Sequence, residues 1–246
     1  MIDLHSHILP GLDDGPDEMD GSMAIVKALV ELGFTHLFAT PHHQLYSWRG
    51  LDSGVVEDGA GRLNASARKC GVSVQIHPGM EYDLDEGIEE RIADRPGKAG
   101  YILVDPGFYR VQPNLVEMLA PVQVSGIQVL IVHPERNDDL LDEVDIMKAI
   151  EALGIRFIGN LGSLGGMYGK KIRRRGIRYL EEGRYWALAT DIHRVRQVGF
   201  LEKGMREAER IVGSGGMNRL LQGHPKEILM TSQKVINAPT DGRSNQ

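Results

Sequence analysis

Residues 128–136 read QVLIVHPER. Four apolar residues, Val129 to Val132, are followed at once by His133, Glu135 and Arg136. A short apolar run without alternation suits a strand buried on both faces, as in a parallel sheet. Polar groups crowded directly past such a strand are where a β/α barrel carries its chemistry. The same unit recurs along the chain. Ile2–Leu4 leads to His5 and His7, His36–Ala39 to His42 with His43 beside it, and Val72–Ile76 to Glu81. Tyr101–Val104 leads to Asp105, and Trp186–Ala189 to Asp191 and His193. With Arg156–Ile158, these runs make seven expected strands.

Amphipathic stretches lie between them. Residues 19–32, 141–153, 172–180 and 199–212 carry apolar residues at helical spacing. Gly33, Gly71, Gly126, Gly154 and Gly183 each stand a few residues ahead of a strand, where a helix C-cap belongs. Strands alternating with helices imply a parallel sheet with crossover helices. Seven of them point to a closed or nearly closed β/α barrel in a single domain over residues 1–236, followed by a polar tail at 237–246.

The 246 residues suit one such domain, with 41% hydrophobic and 25% charged residues. The single cysteine, Cys70, excludes an intramolecular disulfide and fits a reducing, cytoplasmic setting. The opening MIDLHSHILP has no basic, apolar signal pattern, and no run approaches the roughly 18 apolar residues of a membrane span. A net charge of −6 argues against nucleic acid. The basic run at Lys170, Lys171, Arg173, Arg174 and Arg175 reads as the solvated start of a helix.

Five of the nine histidines, His5, His7, His42, His133 and His193, fall at strand ends. Residues two apart in extended backbone share a face, so His5 with His7, and Asp191 with His193, can each reach one point. Imidazole and carboxylate together suit Zn, Mn or Fe. So many ligands exceed the needs of one ion, and two or three divalent ions are expected, with Glu81 placed to bridge. His36 and His77 read as structural, and His224 as a turn residue before a short final helix. Tyr46 and Trp48 are candidate rim residues. A thiolate phosphatase is excluded, because the sixth residue after Cys70 is Ile76 rather than Arg.

With these residues in view, the chain resembles the PHP (polymerase and histidinol phosphatase) superfamily. Within it, the chain resembles the bacterial manganese-dependent protein-tyrosine phosphatases of capsular and exopolysaccharide synthesis. The segments MIDLHSHILPGLDDG, ATPHH, GMEYD, YILVD, VHPERN, NLGSLGGMYGK and ATDIH carry the resemblance, in order, to about residue 195. The resemblance implies a distorted (β/α)7 barrel with a trinuclear site ligated by His5, His7, Asp14, His42, Glu81, Asp105, His133, Asp191 and His193. Asp14 enters through the resemblance alone. Arg136 is implied to hold the phosphoryl oxygens, with Arg196 as the second basic residue. The family usually carries Glu where Asp105 stands.

The expected activity is hydrolysis of a phosphomonoester by a metal-activated hydroxide, without a phospho-enzyme. The implied substrate is a phosphotyrosine protein, the tail of a tyrosine autokinase of polysaccharide export. No nucleic acid and no membrane insertion are expected, and an oligomer is left open. The rival readings are a PHP phosphatase of a small phosphate ester, such as histidinol phosphate or a nucleotide, a hydrolase of the amidohydrolase type, and a metal-binding scaffold without turnover.

Overall fold

A computed structural model describes residues 1–43 and 51–236, so Tyr46, Trp48 and the 237–246 tail lie outside the described residues. Nine strands run among them: β1 Ile2–Ser6, β2 His36–Ala39, β3 His42–His43, β4 Gln75–Pro78, β5 Glu81–Asp83, β6 Tyr101–Asp105, β7 Gln128–Val132, β8 Arg156–Asn160 and β9 Tyr185–Ala189. The helices are α1 Met19–Glu31, α2 Ser53–Lys69, α3 Ile88–Ile92, α4 Leu115–Val124, α5 Val144–Ala152, α6 Leu161–Leu164, α7 Lys170–Glu181, α8 Val198–Asn218 and α9 His224–Ile236. Every strand pairing is parallel.

The strands form two sheets, β1-β2-β4 and β3-β5-β6-β7-β8-β9, and neither closes. The expected distorted, closed or nearly closed barrel is met as a single α/β domain of parallel strands without a closed sheet, and two local features account for this. Thr40–Pro41 and Gly79–Met80 interrupt the second and third strands, so β3 and β5 break away into the larger sheet. Across the other gap, β1 and β9 lie side by side without a ladder. The Asp191 N–H donates to the His5 carbonyl at 2.8 Å and the His7 N–H to the Ile192 carbonyl at 3.0 Å, both past the end of β9. Buried Asp3 ties the same seam, accepting from the Thr190 hydroxyl at 2.6 Å.

Alternate residues of the strands face two cores. Ile2, Leu4, Leu103, Leu130, Val132, Ala187 and Ala189 pack inward together, closed from below by Ile228 and Leu229 of α9. Ile102, Val104, Val129 and Ile131 face the helices instead. This two-sided burial explains why the strands read as unbroken apolar runs.

The helix ends follow local chemistry. Asp52 caps α2 by accepting from the Val55 N–H at 2.9 Å. All five expected C-cap glycines take positive φ, Gly33 at 97° and Gly154 at 72° among them. The basic run starts α7 at Lys170, where Lys171 and Arg175 pair with Asp138. The expected third strand, 72–76, begins later, at Gln75, because Val72 still bonds back to Ala67 at the end of α2. α6 packs on α8 through Gly165 and Gly204; a Cβ on either would collide with a backbone carbonyl of the other segment.

Candidate metal centre

The carboxyl ends of the strands bring nine side chains into one cluster. His5 is the penultimate residue of β1 and His7 follows the strand; His42 stands in β3 and Glu81 opens β5, in register with each other. Asp105 ends β6, His133 follows β7, and Asp191 and His193 follow β9. Asp14 reaches the cluster from the loop after β1. Four overlapping sets of donor atoms each lie within 4.8 Å: His7-Asp14-His42-His193, His5-His7-Glu81, His5-His133-Asp191 and Glu81-Asp105-His133.

Glu81 is fully buried at the centre. Its carboxylate lies 2.9 Å from His133 Nε2, 2.9 Å from His42 Nδ1, 3.3 Å from His7 Nε2 and 3.6 Å from His5 Nε2. Asp191 Oδ1 stands 3.4 Å from His5 Nε2 and 3.3 Å from His7 Nε2. Asp14 Oδ1, on the open side, is 3.1 Å from His193 Nε2 and 3.5 Å from His42 Nε2.

The imidazoles are held from behind. His5 Nδ1 bonds Thr40 Oγ1 at 2.8 Å, His7 Nδ1 bonds Asp13 Oδ2 at 2.6 Å, and His193 Nδ1 bonds the Asp191 carbonyl at 3.0 Å. Each bond turns Nε2 of its ring toward the cluster, as second-shell partners do for metal-ligating histidines. Asp13 also accepts from the His42 N–H at 3.2 Å and the Gly15 N–H at 2.8 Å. It fixes the loop that presents Asp14.

A divalent ion fits this arrangement on two observations. His5 Nε2, His7 Nε2 and Glu81 Oε2 are buried and, among the described residues, make no hydrogen bond of proper geometry. Orphaned polar atoms in a protein interior call for a partner. His133 and Asp191 also hold left-handed backbone, with φ of 34° and 49°. Non-glycine residues adopt that conformation at a cost, and such strain concentrates at functional sites.

The electrostatics agree. Burial opposes the charge on Glu81, but the charges of His5 and His42 and the bond from His133 outweigh it and hold the carboxyl well below its usual range. Asp191 is held low in the same way, against burial, by His7, His5 and His193. Burial pushes His5 down to about 3, leaving a lone pair for a cation. Burial also opposes charge on His7, but Asp13, Asp191 and Glu81 raise it well above its ordinary value. A metal ion entering there displaces a proton. Asp105 is pushed up, chiefly by burial.

Arg136 stands over the cluster. Its Nη1 donates to Asp191 Oδ2 at 3.0 Å, and its guanidinium lies between the Phe108 and Tyr168 rings, 4.4 and 4.5 Å from their centroids. A cavity of about 490 Å³ opens above, with Asp14, Asp105, Phe108, Arg136, His193 and Arg196 in its wall. Arg194, beside Arg196 in the same wall, donates to the Asp14 and His193 carbonyls.

Two residues near the candidate ligands face elsewhere, and His224 lies apart from the cluster. Glu135 is buried against the Tyr185 hydroxyl at 2.8 Å. His43 packs beside Tyr82, its carbonyl held by Arg91. His224 opens α9 itself, stacked on Trp186. Sequence reasoning passed over Asp13, Thr40, Asn160 and Tyr168. Asn160 donates to Asp191 Oδ2 at 2.7 Å, and it is the last residue of β8. Applying the strand-end rule to the sixth run would have found it.

A family model described as capsular polysaccharide synthesis, CpsB/CapC, matches residues 1–230. Tyrosine-protein phosphatase YwqE of Bacillus subtilis is 27% identical over 244 residues, covering 97% of this chain and 95% of that protein. Tyrosine-protein phosphatase CpsB of Streptococcus pneumoniae is 22% identical over 241 residues, covering 94% and 98%. The fold superimposes with a TM-score of 0.84 and 26% identity on a chain from the crystal structures of YwqE and CpsB, described as metal-dependent tyrosine phosphatases. That match covers 95% of this chain and 94% of the other.

Proposed function

The chain belongs to the CpsB/CapC family of capsular polysaccharide synthesis, and on that premise we propose that it is a metal-dependent phosphatase that releases phosphate from tyrosine. The observation that carries this reading is the buried cluster of His5, His7 and Glu81, whose facing ligand atoms make no hydrogen bond of proper geometry among the described residues, beside Asp191, which holds Arg136. His5, His7, Asp14, His42, Glu81, Asp105, His133, Asp191 and His193 are the proposed metal ligands, and manganese is the proposed ion. Carboxylate oxygens mixed with imidazoles suit it. When bound, divalent ions stabilise entering and leaving oxygens and lower the pKa of water.

The chain's own residues do the rest. Arg136 offers a planar fork of donors matched to a phosphoryl group. Asp191 fixes one of its nitrogens, and the rings of Phe108 and Tyr168 fix its plane. Arg196, on the cavity wall, adds positive charge at the mouth. A phenolate leaving group has a pKa near 10 and departs with little help from a proton donor. Family membership supports a role in capsular polysaccharide synthesis, and the substrate we propose there is the flexible, tyrosine-bearing tail of a kinase of polysaccharide export. Among the described residues no helix is long and apolar enough to cross a membrane.

The test is phosphate release from a phosphotyrosine peptide and from p-nitrophenyl phosphate by metal-stripped protein, with Mn²⁺, Zn²⁺ or no ion added. Release that depends on the ion is the expected result. Hydrolysis of neither compound, with Mn²⁺ bound by elemental analysis, overturns the proposal.

A further inference from the structure

Large apolar side chains rarely stay in water without a use when several stand together. Among the described residues only two aromatic side chains are strongly exposed, and they are neighbours: Phe108 at 43% and Tyr109 at 81%. They stand three and four residues past Asp105, after Pro106 and Gly107, and Phe108 is part of the cavity wall.

The segment that carries them is pinned. The Gly107 N–H donates to Asp105 Oδ1 at 2.7 Å, and Asn137 Nδ2 donates to the Gly107 carbonyl at 2.9 Å. The Asp138 N–H donates to the Tyr109 carbonyl at 3.1 Å, and the Val111 N–H donates to Asp139 Oδ1 at 2.8 Å. Four bonds over five residues tie the segment to the turn that carries Arg136 and to Asp105. Gly107 takes φ +82°, which lets the chain turn sharply off the strand end. Phe108 also lies near the His133 ring, with centroids 6.2 Å apart and planes 28° from parallel. The two rings are therefore exposed on a fixed backbone, at a set distance from the residue that takes the phosphoryl group.

We propose that Phe108 and Tyr109 form the platform that recognises the aromatic ring of the substrate, so that the site selects aryl over alkyl phosphomonoesters. This deepens the phosphotyrosine reading and rests on it. A phosphoryl group against Arg136 is joined to its phenyl ring through a single oxygen. The ring then lies within about one ring's width of Phe108, whose face packs on the same guanidinium. A flat, amphipathic ring on a rigid backbone binds another ring at low entropic cost.

The test separates ring recognition from turnover. Manganese-loaded protein is titrated calorimetrically with benzylphosphonate and with butylphosphonate, neither of which has a scissile ester. Phe108→Leu keeps bulk against Arg136 and removes the aromatic face; Tyr109→Ala removes a ring that has no ring or cation contact among the described residues. Wild type is expected to bind the aryl ligand more tightly. Each variant should lower the ratio of aryl to alkyl affinity about fivefold, the size of one aromatic pair; Tyr109→Ala leaves the alkyl ligand unchanged, whereas Phe108→Leu, which also loosens Arg136, weakens both ligands and the aryl one by that further factor. Equal affinities in wild type, parallel loss of both ligands in the variants, or binding of neither ligand would overturn the platform. An aryl preference in a protein that hydrolyses no phosphotyrosine would instead count against the phosphatase reading and leave the platform standing.

Discussion

Two pairs of histidines sit in the same small sheet and do opposite things. His36 and His77, on β2 and β4, satisfy one another: Nδ1 of the first lies 3.1 Å from Nε2 of the second. His77 also stacks on Phe38, with centroids 4.7 Å apart. His5, on β1, and His7, just past it, use their Nδ1 atoms on Thr40 and Asp13 and leave each Nε2 buried and aimed at carboxylates. The residue type is the same and both pairs sit against strands. What separates a proposed ligand from a packing residue is where the second nitrogen points. The comparison therefore makes opposed claims about metal content and stability for the two pairs.

The largest effects belong to the cluster. His7→Ala is expected to lower metal affinity by more than the ~10–100-fold typical of second-shell changes, and to abolish phosphotyrosine hydrolysis. Elemental analysis after dialysis against a weak chelator reads the first effect directly. Arg136→Ala should retain the ions and lose roughly 10²–10³ in kcat, the cost of removing one preorganised donor from a developing charge. Full metal content with unchanged kcat in either variant would break the contrast.

Asp13→Asn comes next. It keeps the shape of the carboxylate behind His7 and weakens an acceptor that bonds at 2.6 Å. A loss of about 10–100-fold in Mn²⁺ affinity is expected. An unchanged titration would mean that Asp13 only shapes the loop. The corresponding substitution in the other pair, His77→Gln, should leave metal content and kcat untouched.

The sequence made the strand ends legible because the strands are buried on both faces and their polar ends stand out against apolar runs. All seven runs exist as strands, and the nine candidate ligands converge. Strands β3 and β5 were not legible. Two or three residues carry no periodicity, and these strands exist because the Thr40–Pro41 and Gly79–Met80 breaks redirect the chain into the larger sheet. That redirection sets His42 opposite Glu81 and leaves the two sheets unclosed. α2 was hidden by its many Gly, Ala and Ser residues, and it holds its place through Val56, Ala60 and Leu63 in the core. Asp13 and Thr40 act only through contacts with residues distant in sequence or across a loop, so no local pattern marks them. Their neighbour His42 attracts the attention by its place past a strand, and Asp14 enters only through the family resemblance.

The smallest effect is a pH dependence, and it tests the packing half of the comparison. Burial first, and His36 beside it second, push His77 down to about 4. In the unfolded chain the same imidazole titrates near 6.5. Between those values the unfolded state binds more protons, so stability rises with pH. The contribution of neutral His77 is complete above about 6.5 and is lost as pH falls toward about 4, at no more than about 1.4 kcal/mol per pH unit. His36, pushed down mainly by burial, adds in the same direction. The histidines of the cluster titrate as well, so wild type alone cannot isolate the pair. Urea midpoints at pH 7 and pH 5 for wild type and His77→Gln can, because the cluster is common to both. The variant should lose less stability than wild type on acidification. If both lose the same amount, His77 is already solvated and protonates freely in the native state. The packing role would then rest on Phe38 alone, and the two histidine pairs would no longer differ in how the fold treats their charge.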